Sequence, residues 1–185
     1  MTFNRRTFFA LIFCLVFGIY IVGQQKHGDL YEPDFPYSIE PDKDESKPFD
    51  FNVPTYSING KRVNMDLFRD HILIVTSFDA DDEDSQIMLP LWNDFFDKYK
   101  NEKRIKLLFI NLGDVVSTQG VIRVYKPRYP IYTRAFDLNV YDISNLPVTW
   151  IINRDGIIIS THYGAYNWMG PDTESFLQQL MASGS

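Results

Sequence analysis

Cysteine is almost missing from these 185 residues: Cys14 is the only one, and it lies inside an uncharged apolar run. One cysteine cannot form an internal disulfide, a dithiol redox couple or a thiolate metal cage, so all three chemistries are excluded from the chain acting alone. Histidine is also scarce. His27, His71 and His162 stand far apart, without metal-ligand spacing, and read as surface or structural residues; no metal and no cofactor is expected. Basic charge is in deficit, with 18 Lys and Arg against 24 Asp and Glu, a net charge of −6. Arg5 and Arg6 are the only charges before residue 24, so the remainder carries −6 − 2 = −8. That balance argues against nucleic acid, whose binding needs basic surface to displace counterions, and against docking on anionic lipid. No internal repeat is present.

What is abundant is apolar and aromatic: 45% hydrophobic and 16% aromatic residues, enough to fill a core. The first 24 residues stand apart. Asn4-Arg5-Arg6 precedes Thr7 to Gly23, 17 residues without a charge. A membrane-spanning helix needs roughly 17–25 apolar residues. Residues 1–24 therefore read as a signal anchor or transmembrane segment, with a cleaved signal peptide as the alternative. In either case the two arginines stay inside and the rest of the chain faces the periplasm or cell exterior. The Arg5-Arg6-Thr7-Phe8-Phe9 stretch also resembles a twin-arginine export signal. Residues 25–48 are acidic and hold Pro33, Pro36, Pro41 and Pro48. Proline stiffening and like-charge repulsion make this a solvated linker that should stand off the membrane.

From residue 49 to 185 the patterning is that of one globular domain. Tyr56-Ser57-Ile58, Asn59-Gly60 and Lys61-Arg62-Val63 read as a hairpin with a two-residue turn. His71–Phe78, with its apolar run Ile72-Leu73-Ile74-Val75, reads as a buried central strand, and Ile105–Asn111 as a second buried strand. Met88, Trp92, Phe95, Phe96 and Tyr99 recur at helical spacing and predict a helix over 85–100, kinked at Pro90. A helix is expected over 115–125, a short strand over 130–133, a strand over 146–152, a hairpin partner over 157–161 after the Arg154-Asp155-Gly156 turn, and a last helix from Pro171 to Met181. The order β-α-β-α-β-β-α implies an α/β domain with parallel strands joined by crossover helices and an antiparallel hairpin at the edge.

Several blocks in this order resemble the membrane-anchored, extracytoplasmic thioredoxin-like proteins of the TlpA/redoxin group. Phe51-Asn52-Val53-Pro54 to Gly60-Lys61 is similar to their opening hairpin, Met65-Asp66-Leu67-Phe68 to a short helical turn, and Met88-Leu89-Pro90-Leu91 to their kinked first helix. Leu146-Pro147-Val148-Thr149-Trp150-Ile151-Ile152-Asn153-Arg154-Asp155-Gly156 resembles their cis-proline strand and hairpin, and Gly164 to Pro171 the loop before their last helix. The resemblance implies a thioredoxin-like fold with a central mixed sheet flanked by helices. It also implies a place in thiol reduction or cytochrome c maturation. Counting back from Pro90, the two positions of the family's Cys-x-x-Cys fall on Asp82 and Ser85, with Glu83-Asp84 between them. Neither sulfur exists, so the family's catalytic roles do not carry over and no catalytic residue is assigned.

What remains is an acidic loop, Asp79, Asp81, Asp82, Glu83 and Asp84, at the start of a helix. Carboxylates there complement the helix dipole, and Asp82, Asp84 or Ser85 can cap the helix. The loop is read first as a helix cap with a solvated rim, and second as a site for a cation or a basic peptide. The spaced oxygen pattern and glycine of a calcium-binding EF-hand loop are lacking. Tyr163, Tyr166 and Trp168 are candidates for a partner surface or for core packing. The leading expectation is a non-catalytic module that binds another envelope protein through Asp81, Asp82, Glu83, Asp84, Leu146 and Pro147. The rivals are an accessory role in thiol redox beside a cysteine-bearing partner, and a cation-binding or spacer protein.

Overall fold

The computed structural model describes residues 30–35, 47–113, 115–134 and 145–183. The expected membrane segment with Cys14, as well as His27 and most of the linker, lies outside them. Among the described residues no helix is long and apolar enough to cross a membrane.

In chain order the elements are β1 (Lys47–Pro48), β2 (Thr55–Ser57), a 3-10 turn (Met65–Phe68), β3 (Ile72–Phe78), α1 (Glu83–Tyr99), β4 (Ile105–Asn111), α2 (Val115–Tyr125), β5 (Ile131–Arg134), β6 (Val148–Ile152), β7 (Ile157–Tyr163) and α3 (Pro171–Ala182). The strands form one sheet in the order β1-β7-β6-β3-β4-β5-β2. β3, β4 and β5 are parallel neighbours joined through α1 and α2, as the alternating pattern predicts, and β6 and β7 add antiparallel strands beside β3.

β3 shows why its sequence lacks the polar–apolar alternation of a half-exposed strand: even its Thr76 and Ser77 are buried. Ile72, Ile74 and Phe78 face a core shared with Met88, Trp92, Phe95, Phe109 and Leu177, while Leu73 and Val75 face a second core with Phe49, Phe51, Ile110, Val148 and Trp150. A strand covered on both faces has no solvent side to mark with polar residues. Buried residues of all three α-helices belong to the first core. Among the described residues the second is covered instead by Phe49, Phe51 and Met65, with Val63 and Phe68 packed beside them. Trp92, at the centre of the first core, meets Phe78, Phe109 and Tyr129 at ring-centroid distances of 5.8, 5.5 and 6.5 Å.

Two expectations are corrected. The Asn59-Gly60 hairpin exists, with Tyr56 opposite Arg62, but its turn is a three-residue loop. Gly60 N–H donates to the Ser57 carbonyl and Ser57 N–H to the Lys61 carbonyl. Within this loop only Gly60, at φ 75°, enters the left-handed region, the arrangement of a turn closed by a glycine bulge. The second correction concerns the linker. Lys47–Pro48 pairs with Ile157 and Ile158 as an edge strand. Residues 30–35 lie against the domain, with Pro33 buried and Leu30 and Phe35 packed on the first core. The apolar side chains in this acidic stretch find a hydrophobic surface, and that burial outweighs the charge repulsion from which a free spacer was expected.

Candidate functional site

α1 begins where β3 ends, after the short turn Asp79–Asp82. Asp82 has extended backbone (φ −83°, ψ 133°), and its carboxylate accepts the Ser85 N–H at 2.7 Å, the geometry of a helix N-cap. Of the three capping candidates, then, Asp82 takes the role. Its own N–H donates to the Asp79 carbonyl at 3.2 Å, and the Asp79 carboxylate accepts the Asp81 N–H at 3.0 Å. Ser85 is fully buried, and its hydroxyl accepts the Asp79 N–H at 3.4 Å. Asp82 and Ser85 are therefore joined to each other and to the preceding turn by hydrogen bonds. A capping aspartate and a buried serine hold the helix start.

The remaining acidic residues divide by position. Glu83 and Asp84 stand exposed in the first turn of α1, and Asp81 is exposed just before it. Carboxylates here offset the positive end of the helix dipole, each by roughly 0.3–1 kcal/mol. Two of the five, Asp79 and Asp82, already accept backbone N–H groups. Among the described residues no group of three His, Cys, Asp or Glu side chains is placed to hold a metal ion.

Across from α1 the Leu146–Pro147 peptide bond is cis. The Pro147 carbonyl accepts the Gly164 N–H at 2.7 Å, which fixes the end of β7 beside it. Leu146 lies outside the β6 ladder, whose pairing with β3 and β7 starts at Val148. Between the helix start and this edge is a shallow cleft of about 430 Å³ lined by Asp82, Asp84, Asn145, Leu146, Tyr163 and Gly164. Of the residues expected at a partner site, Asp82, Asp84 and Leu146 converge on it, whereas Asp81, Glu83 and Pro147 do not line it. Sequence reasoning missed Asn145 and the placement of Tyr163. Gly164, at φ 95°, is the one position whose residue type signals the bend that brings β7 back to the cleft.

The aromatic cluster near the end of β7 separates. Tyr163, about a third exposed, faces the cleft, while Trp168 is buried in the first core. His162 is buried too, with Ser160 Oγ 2.7 Å from its Nε2 and the Trp168 ring centroid at 5.3 Å. Burial pushes its imidazole down to about 4, against a weaker upward pull from the Asp34 carboxylate. It is a buried histidine, so of the surface and structural roles open to it in the sequence it has the structural one. His71 is held by the backbone, its Nδ1 lying 2.7 Å from the Arg69 carbonyl.

No protein-family model matches the sequence, and no curated protein matches it. Solved structures do. A thiol-disulfide oxidoreductase from Bacteroides fragilis superposes with a TM-score of 0.59 at 15% identity, covering 72% of this chain and 99% of its own. The fold is thioredoxin-like. StoA from Bacillus subtilis (TM-score 0.55, 19% identity, 72% of this chain and 99% of that one) superposes in the same way. So does a secreted Mycobacterium tuberculosis disulfide oxidoreductase (TM-score 0.53, 9% identity, 71% and 96%). At these identities the likeness establishes the scaffold, and function has to be argued from the site.

Proposed function

We propose that this chain is a membrane-anchored, extracytoplasmic thioredoxin-like domain that acts as a non-catalytic binding module for another envelope protein. The observation that carries this reading is a cleft with an open backbone edge on one side and, on the other, a helix start from which sulfur is absent. Leu146 stands outside the ladder, where an extended segment of a partner can add backbone hydrogen bonds. Asp82 and Asp84 supply negative charge along one wall of the same cleft. Residues 7–23 are the anchor and Arg5 and Arg6 its cytoplasmic flank.

The test begins with crosslinking in intact cells, followed by solubilisation and recovery of the tagged full-length chain. Charge reversal at Asp81, Glu83 and Asp84 leaves the Asp82 cap intact. It is expected to reduce recovery of a stoichiometric partner at least ~10-fold, since rim charges act on association through long-range attraction. Unchanged recovery removes the acidic wall from the interface. Fractionation and protease accessibility of the exported part test the anchor separately.

A second reading is favoured by the company the fold keeps, because the superposed structures are thiol-disulfide oxidoreductases. Here the chain assists thiol redox or cytochrome c maturation, with a partner supplying both cysteines. Loss of the gene should then alter envelope thiol status or c-type cytochrome content, and no change in either rejects this role.

A further inference from the structure

Residues 30–35 make contacts that a spacer would not. Glu32 reaches the start of α3, where its carboxylate accepts the Asp172 N–H at 2.9 Å. The N-cap of α3 is Gly170, which has no side chain of its own to offer, so the cap is supplied from 140 residues away in sequence. A Cβ at position 170 would lie 1.9 Å from the Glu32 Cδ, and the carboxylate can sit there only because residue 170 is glycine. The Tyr31 carbonyl accepts the Asn167 N–H at 2.9 Å. Further along the segment, the Phe35 ring stacks on Phe176 at 4.5 Å and meets His162 edge-on at 5.2 Å and Trp168 at 6.3 Å.

Phe35 therefore closes one side of the box around His162. The other walls are Tyr166 and Trp168 from the loop before α3, and Ser160 and Thr149 from the strands. Asp34 is the charged group acting on the ring, and Tyr166 is the other titratable neighbour. An imidazolium is poorly solvated in such a box, and one carboxylate at its edge does not make up the loss. Lifting Phe35 away would let water reach the ring, so protonation and strap release favour one another.

We propose that residues 30–35 form an acid-releasable strap that holds the domain close to its anchor and lets it reach outward when the strap lifts. The strap itself does not depend on the anchored reading; the change in reach does. With the strap seated, only residues 24–29 separate the apolar run from the domain, at most ~20 Å of extended chain. With it released the free stretch is residues 24–46, up to ~80 Å. His162 sits at about 4 when boxed. If it returns to an ordinary value near 6.5 when open, the seated-to-released ratio falls about 20-fold between neutral pH and pH 5.

The experiment uses the full-length chain in detergent micelles, with NMR reading the His162 ring titration and the hydrogen-exchange protection of the Asn167 and Asp172 amides. In the unsubstituted protein these two amides are expected to lose about 20-fold in protection by pH 5 while the amides of β3 keep theirs. Phe35→Ala should raise the His162 titration toward an ordinary value and expose both amides at every pH. Gly170→Ala, which displaces the Glu32 carboxylate from the opposite side, should expose the Asp172 amide. The proposal is overturned if His162 titrates alike in the unsubstituted protein and in Phe35→Ala, or if the two amides lose protection only together with β3. Failure of the anchored reading would appear in the fractionation instead and would leave these results unchanged.

Discussion

Substituting Asp82→Cys and Ser85→Cys together, in a Cys14→Ser background, asks whether the scaffold lacks only its sulfur atoms. The structure sets the magnitudes. Asp82→Cys removes the carboxylate that caps α1 through the Ser85 N–H, and losing such a cap costs about 1 kcal/mol. Ser85→Cys places a thiol where the hydroxyl is fully buried, so the second sulfur is shielded while the first lines the cleft. Closing a four-residue loop constrains the unfolded chain by roughly 2 kcal/mol in the chain-entropy model. The oxidised variant is thus expected to be about 2 kcal/mol more stable than its reduced form, and within about 1 kcal/mol of the unsubstituted protein. Glu83 and Asp84, between the two positions, oppose thiolate formation and counter the help of the helix N-terminus. Adding Glu83→Gln and Asp84→Asn should therefore speed thiol reactivity at neutral pH. Urea unfolding of both redox forms, thiol titration with a colorimetric disulfide and an insulin-reduction assay read all of this out. One fast and one slow thiol when reduced, and none when oxidised, is the expected pattern. Two thiols that fail to pair in an oxidising glutathione buffer, or an oxidised form less stable than the reduced one, would refute the expectation that positions 82 and 85 can hold a dithiol.

Three further expectations concern the scaffold, each measured by urea unfolding. Trp92→Ala, at the meeting point of Phe78, Phe109 and Tyr129, should cost about 3–5 kcal/mol; a loss below about 1 kcal/mol would mean the first core is not closely packed there. Gly156→Ala should cost about 1–2 kcal/mol, because residue 156 has φ 80° and an added Cβ would lie 3.1 Å from Phe51 Cε2. Thr76 and Thr149 share a buried hydroxyl pair at 3.1 Å. Either single change to valine should cost about 1–3 kcal/mol by stranding the other hydroxyl, while the double change should cost less than the sum of the two singles; additive losses would deny the bond.

How far the sequence announces this structure depends on whether each feature is local. β3 and β4 are legible because central strands carry apolar runs without alternation, Ile72–Val75 and Leu107–Ile110. α1 is legible because Met88, Trp92, Phe95 and Tyr99 keep helical spacing and Asp82 stands at its head. Contacts between distant segments are not written this way. Nothing about Tyr163 reveals that it will line a cleft with Asp82, since the two meet only after β7 has crossed the sheet beside β6. The 30–35 segment is harder still. Its proline and two carboxylates have the composition of a spacer, and the contacts that contradict it include those of Glu32 and Phe35, whose partners lie near the other end of the chain.

The same distinction bears on how the site should be understood. The bonds at positions 82 and 85 are short-range, binding a turn to the helix that follows it, and they would hold α1 in place whatever the cleft does. The cleft is long-range. It exists because Leu146, the Gly164 turn and the first turn of α1 are brought together by the whole sheet. A chain selected for a stable helix start alone would have no need of an open wall at Leu146 facing it. Function is therefore better sought in what the cleft can grip than in the bonds at positions 82 and 85, and variants that alter the cleft while sparing the cap are the ones that can tell binding from folding.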